Sequence, residues 1–201
     1  MRNFIDDLGI TGHLTIIKRH KNGEEEIVFD DHNIIVSGMG VGLSYLFTAS
    51  GSNTILDYQI DRFQLGVSGP PTGGVVSSIY ELSGALGNVY GAGSNLFIEK
   101  CTQIKPLTDA QNQYFALIPA NKVTKIGDSS VRYTLVVDEE ACNNLQGAFS
   151  EDTYLSEVGL FIKNPRGDAG TNASILVAYR TFSIIRKTSD FSLIFRWTIN
   201  F

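Results

Sequence analysis

FSLIFRWTINF, residues 191 to 201, decides the fold. Phe191, Leu193, Phe195, Trp197, Ile199 and Phe201 alternate with Ser192, Ile194, Arg196, Thr198 and Asn200. That period of two puts one set of side chains on each face of a strand. Burying the six large apolar groups is worth roughly 9 to 18 kcal/mol before entropy is subtracted, an upper bound because the unfolded chain already hides some of that area. This segment is therefore expected to be a structural strand, buried on one face, whose loss unfolds the domain. Working back along the chain, LSEVGLFI (155 to 162) and SILVAYRTFSI (174 to 184) have the same strand composition.

The amino-terminal third carries the clearest local motif. Asn22-Gly23 is the strongest two-residue hairpin signal, and both of its flanks are strand-like. With Asn22 and Gly23 at the centre of the turn, Lys21 faces Glu24, His20 faces Glu25 and Arg19 faces Glu26, while Ile17 faces Val28, Ile16 faces Phe29 and His13 faces His32. Opposite charges meet and apolar groups meet, which supports the register more than it supplies energy, at about 0.2 to 1 kcal/mol per pair.

HNIIVSGMGVGLSYLF (32 to 47) then passes from a strand-like run through Ser37, a candidate N-cap, to Met39, Leu43, Leu46 and Phe47 at helical spacing, predicting a short helix over about residues 39 to 49. Gly40 and Gly42 inside it would each cost about 1 kcal/mol relative to Ala, so either the helix backbone is closely approached there, most simply by a sheet, or the first turn is irregular. A strand follows at 60 to 67. SGPPTGG (68 to 74) then opens a Gly- and Ser-rich excursion, and residues 68 to 112 are expected to be a loop or insertion involved in contacts. Residues 114 to 118 and 131 to 137 read as further strands. The pattern predicts one mainly β domain over residues 1 to 201, an antiparallel β-sandwich with one short helix and a long Gly-rich loop insertion.

Sixteen basic residues against twenty-one acidic ones give a net charge of -5, which argues against a general nucleic-acid binder. Charged residues make up only 18% of the chain, below the roughly 25% of ordinary domains. Cys101 and Cys142 have no CxxC or Cys/His spacing, so reduced thiols are expected. MRNFIDDLGI lacks the apolar run of a signal peptide, and no stretch is apolar for long enough to span a membrane as a helix. Neither secretion nor membrane insertion is expected.

Motifs for chemistry are weak. Gly38, Gly40 and Gly42 form GxGxG, not the dinucleotide spacing, and no βαβ pattern follows. His13, His32, Asp30 and Asp31 come together in the hairpin register, but His20 lies at the other end, and a metal site normally needs three or four converging ligands. Glu139, Glu140, Asp152 and Glu157 raise the thought of a carboxylate pair, yet Glu157 between apolar neighbours more ordinarily pairs with Arg180 or Arg196. No GxSxG nucleophile motif is present. No catalytic residue, metal ligand or cofactor is expected.

Four segments carry a resemblance: HNIIVSGMGVGLSYLF (32 to 47), DRFQLGVSG (61 to 69), LSEVGLFIK (155 to 163) and VAYRTFSIIRKTSDFSLIFRWTINF (177 to 201). Through His32, Asn33, Gly38 and Leu43, Leu65 and Gly66, Glu157 to Phe161, and Lys187, Thr188, Asp190, Trp197, Ile199 and Phe201, the chain resembles a group of tailed-bacteriophage virion structural proteins. The resemblance covers about half the chain. It implies a non-enzymatic virion component made in the bacterial cytoplasm and associated with tail, baseplate, neck or fibre attachment, and the leading expectation is a protein present in multiple copies in the tail or baseplate region. Its partners would be copies of itself and other virion proteins, with no nucleic acid, membrane or small-molecule substrate.

A carbohydrate-binding module on a host-recognition fibre and a head or neck decoration protein are the alternatives. Aromatic and proline residues in loops commonly anchor interfaces, which makes Tyr58, Pro70, Pro71, Tyr80, Tyr90 and Phe97 the candidate contact residues.

Overall fold

The computed structural model describes residues 9–35, 37–49, 58–66, 104–105, 115–143, 153–163 and 174–201. The strands are β1 (Thr11–His20), β2 (Glu25–Ile35), β3 (Ile60–Gly66), β4 (Ile104–Lys105), β5 (Phe115–Leu117), β6 (Val123–Lys125), β7 (Ser130–Val137), β8 (Thr153–Lys163), β9 (Ser174–Lys187) and β10 (Phe191–Asn200). Among the described residues one α-helix, α1 (Ser37–Phe47), follows β2, and a 3-10 turn (Ala120–Lys122) precedes β6. The strand order is β4-β3-β8-β9-β2-β1-β10-β7-β6, with β5 also on β3. All ladders among the described residues are antiparallel.

Two sheets arise because β2 serves both. Its first part pairs with β1, and its last residues, Ile34 and Ile35, pair with Tyr179 and Ala178 of β9. The first sheet is β6-β7-β10-β1-β2, and the second holds β9, β8, β3, β4 and β5. Rings from the two sheets meet across the core: Phe63 of β3 lies 5.9 Å from Trp197 and 6.5 Å from Phe195, and Phe182 of β9 lies 6.4 Å from Phe195. The mainly β, antiparallel, two-sheet architecture expected from the sequence is the observed one. Of residues 68 to 112, only Ile104 and Lys105 are described, and they form a strand against β3.

The closing strand is buried more completely than its alternation predicts. Phe191, Leu193, Phe195, Trp197 and Ile199 fill the core as expected, but Ser192 and Ile194 on the opposite face are buried too. Ile194 stands opposite Ile17 of β1, which is also buried, so the middle of that outer face is apolar. Phe201 departs in the other direction. It lies just past the end of β10 and is 46% exposed.

The hairpin corrects the predicted register in an instructive way. Between His13 and Ile16 the pairing is as expected, with His13 opposite His32 and Ile16 opposite Phe29. Nearer the turn it slips by one residue, so that Ile17 faces Ile27, Lys18 faces Glu26 and Arg19 faces Glu25. The loop is the reason. His20 accepts from the Gly23 N–H and donates to the Glu24 carbonyl, both at 2.9 Å, and Gly23 alone takes a positive φ, 87°, making a three-residue loop rather than a two-residue one. Val28, skipped in the ladder, is a bulge that restores the expected register beyond it. Such a bulge also increases local twist, which suits a strand that must leave one sheet and join the other.

Helix α1 starts two residues earlier than predicted. At Gly38 an added Cβ would collide with the backbone carbonyl of Leu176, and at Gly42 it would meet Ile162 Cδ1. These two glycines let the helix lie close on β9 and β8, whereas Gly40 faces open space. The GxGxG run is a packing device here.

Candidate functional site

Tyr133 and Val131 of β7 point into the core beside Trp197 and Ile199 of β10, because the cross-strand register pairs them. Above them stands α1, whose Met39, Leu43 and Leu46 at i, i+4 and i+7 form one stripe. The helix is drawn toward β8 and β9 by its glycines, and between its stripe and β6–β7 lies a cavity of about 610 Å³. Ile60, Ile162 and Val177 floor it, and Tyr58, Gln59, Ala120, Val123 and Phe201 complete its wall.

The volume would suit a small ligand, but the chemistry of the lining does not suit a reaction. Among the described residues, no carboxylate, lysine, arginine, histidine or cysteine lines it. Its polar groups are the Gln59 amide and the hydroxyls of Tyr58 and Tyr133, and burial pushes the Tyr133 phenol up to about 12. The rim is apolar and uncovered: Leu46, Val123 and Phe201 are 40%, 37% and 46% exposed. Next to Leu46, Phe47 is 82% exposed. An apolar recess with an apolar rim is suited to packing against another polypeptide surface.

The opposite end of the sandwich is built differently. Lys187, at the end of β9, is fully buried. Its ammonium donates to the Thr188 carbonyl at 2.7 Å and to the Glu139 carbonyl and Asn143 Oδ1 at 3.2 Å each. Desolvation holds its pKa below the ordinary lysine value, opposed in part by Cys142 and the Asp138, Glu139 and Glu140 carboxylates. Cys142, a free and buried thiol, sits at φ 63°, and burial pushes its pKa up. That raised pKa disfavours the reactive thiolate.

The residues singled out for chemistry fall as follows. His13 Nε2 is 2.8 Å from Asp30 Oδ1 on the exposed face of the hairpin, and the His13 and His32 rings meet edge to face at 5.5 Å. Hydrogen bonds from Thr15 and His13 lower the Asp30 pKa. His20 lies at the far end of β1, opposite Phe191. No group of three or more His, Cys, Asp or Glu able to hold a metal occurs among the described residues.

Arg180 is engaged by Asp31 of β2 at 2.5 Å and lies over the Phe29 ring. The Glu157 side chain, Asp152 and Cys101 lie outside the described atoms. Trp197 is fully buried, which removes it as a sugar-stacking platform.

Of the six candidate contact residues, Tyr58 lines the cavity, and Pro70, Pro71, Tyr80, Tyr90 and Phe97 lie outside the described residues. Sequence reasoning did not single out Leu46, Val123 and Phe201 as an exposed apolar rim. Leu46 and Phe201 read as inward-facing residues of predicted elements, and Val123 lies between two predicted strands, so only apolar character marked them. Among the described residues, no helix is long and apolar enough to cross a membrane. Comparison with family profiles, with curated proteins and with solved structures finds no match to this chain.

Proposed function

We propose that this chain is a non-enzymatic structural protein of a tailed-bacteriophage virion, assembling in multiple copies in the tail or baseplate region and contacting other virion proteins. The observation that carries the assembly part of this reading is the apolar rim of Leu46, Val123 and Phe201 around a recess with no carboxylate, histidine, cysteine, lysine or arginine among its described lining residues. Such a surface gains free energy by being covered, and repeated copies multiply a modest contact into a firm one. The virion part rests on the resemblance of the segments ending in EVGLF and in the Trp197-to-Phe201 strand.

Immunogold labelling of intact particles from the source with an antibody to this chain tests the reading. Gold at the tail or baseplate is the expected result. Gold at the head or neck would move the protein to that station, and unlabelled particles would overturn the virion assignment.

A further inference from the structure

We propose that copies of this chain join edge to edge through their first sheet, the β6 edge of one copy lying beside residues 24 to 27 at the β2 edge of the next. The inference rests on the assembly part of the reading above and names its partner, a second copy. It begins with hydrogen bonding that the fold leaves open. Among the described residues, β6 is the last strand of its sheet and pairs only with β7, and from Glu25 to Asn33 β2 pairs only with β1. Each strand therefore turns backbone N–H and C=O groups outward, which is what an added strand needs.

The two edges carry opposite charge. Residues 22 to 35 contain Glu24, Glu25, Glu26, Asp30 and Asp31 and no lysine or arginine, whereas residues 119 to 126 contain Lys122 and Lys125 and no acid. Three of the five carboxylates are engaged within the chain: Glu25 by Arg19 at 2.6 Å, Asp30 by His13 and Thr15, and Asp31 by Arg180. The Glu24 carboxylate meets only the Asn22 amide, at 3.4 Å, and Lys18, which faces Glu26 in the register, lies over the Phe191 ring instead. No ion pair among the described residues takes up Lys122 or Lys125. Exposed apolar side chains accompany both sets: Ile27, 63% exposed, follows Glu26, and Val123 and Ile126 stand beside the lysines. Bringing the edges together covers these groups while carboxylate meets ammonium. Like edges repel, so β6 against β6 or β2 against β2 is disfavoured and the unlike pairing is left. Because the two edges lie on opposite sides of one sheet, each contact leaves a free edge at either end, and association continues into a ring or a stack rather than stopping at a dimer.

The test uses two full-chain variants, Lys122→Glu/Lys125→Glu and Glu24→Lys/Glu26→Lys, followed by sedimentation velocity over a range of concentrations at low ionic strength. All four positions are exposed, so the circular dichroism of each variant should match the parent's. The parent should self-associate, and less so as salt is added. Each variant alone should associate about tenfold more weakly or worse. An equimolar mixture of the two variants, in which unlike edges meet again, should recover the parent's association. Variants that associate like the parent, or a mixture that does not recover, would overturn the proposal and leave the assembly reading standing through another surface. A parent that stays monomeric at every concentration would also overturn it, and gold on the particles would then decide whether the assembly reading survives.

Discussion

The two ends of β10 treat solvent in opposite ways. At the Phe191 end, a lysine is taken fully out of water and supplied with carbonyl and amide acceptors. At the Phe201 end, leucine, valine and phenylalanine side chains are left in water around a recess. Burying a cation is costly unless its hydrogen bonds are met, so the first end is closed within the chain. Exposing a cluster of large apolar groups is unfavourable for the opposite reason, and the penalty is relieved when something covers them. The contrast sets a closed, hydrogen-bonded end against an open apolar one.

The largest effect should come from the core that joins the two ends. Trp197→Ala removes a fully buried ring packed on Phe63 and should lower unfolding free energy by about 3 to 5 kcal/mol, measured by urea denaturation. A loss below about 1 kcal/mol would mean that the ends do not share one core.

Next, Lys187→Met leaves three oxygen acceptors without their ammonium donor and should cost about 1 to 3 kcal/mol at neutral pH. Its pH dependence has a definite sign. The folded Lys187 pKa is lowered, so as pH rises toward the ordinary 10.5 the folded state releases this proton before the unfolded chain does. The unfolded state then holds more protons, and stability owed to this group rises with pH. The gap between parent and variant should therefore widen with pH over that window, and a constant gap would show that the site is not closed to solvent. At the open end, Phe47→Ser should change stability by no more than about 0.5 kcal/mol. A larger loss would place that ring in the core and erase the contrast.

Much of the architecture is legible in the order of residues alone, because strand alternation is a local property. Residues 191 to 199 had to put their odd-numbered side chains on one face, and those side chains do fill the core. The hairpin was legible only in part. Asn-Gly signals a reversal, but two- and three-residue loops both accept it, and the choice between them moves every pairing by one until Val28 bulges. The glycines of α1 told of a close approach to a sheet without saying which strands or which glycines make it. Gly38 and Gly42 meet β9 and β8, whereas Gly40 meets nothing. The recess was not legible at all. Leu46, Tyr58, Val123, Tyr133 and Phe201 come from five separate stretches of the chain, and no periodicity links them.

By itself, then, the sequence determined the β class, the helix after β2, the hairpin and the inward face of the closing strand, since each follows from side chains a few residues apart. Only the tertiary structure decided that β2 would bridge two sheets, that Arg180 would find Asp31, that Lys187 would be buried at one end and that Phe201 would stand in water at the other. Those outcomes depend on which distant surfaces meet, and that is settled by the summed burial of the whole core rather than by any local pattern.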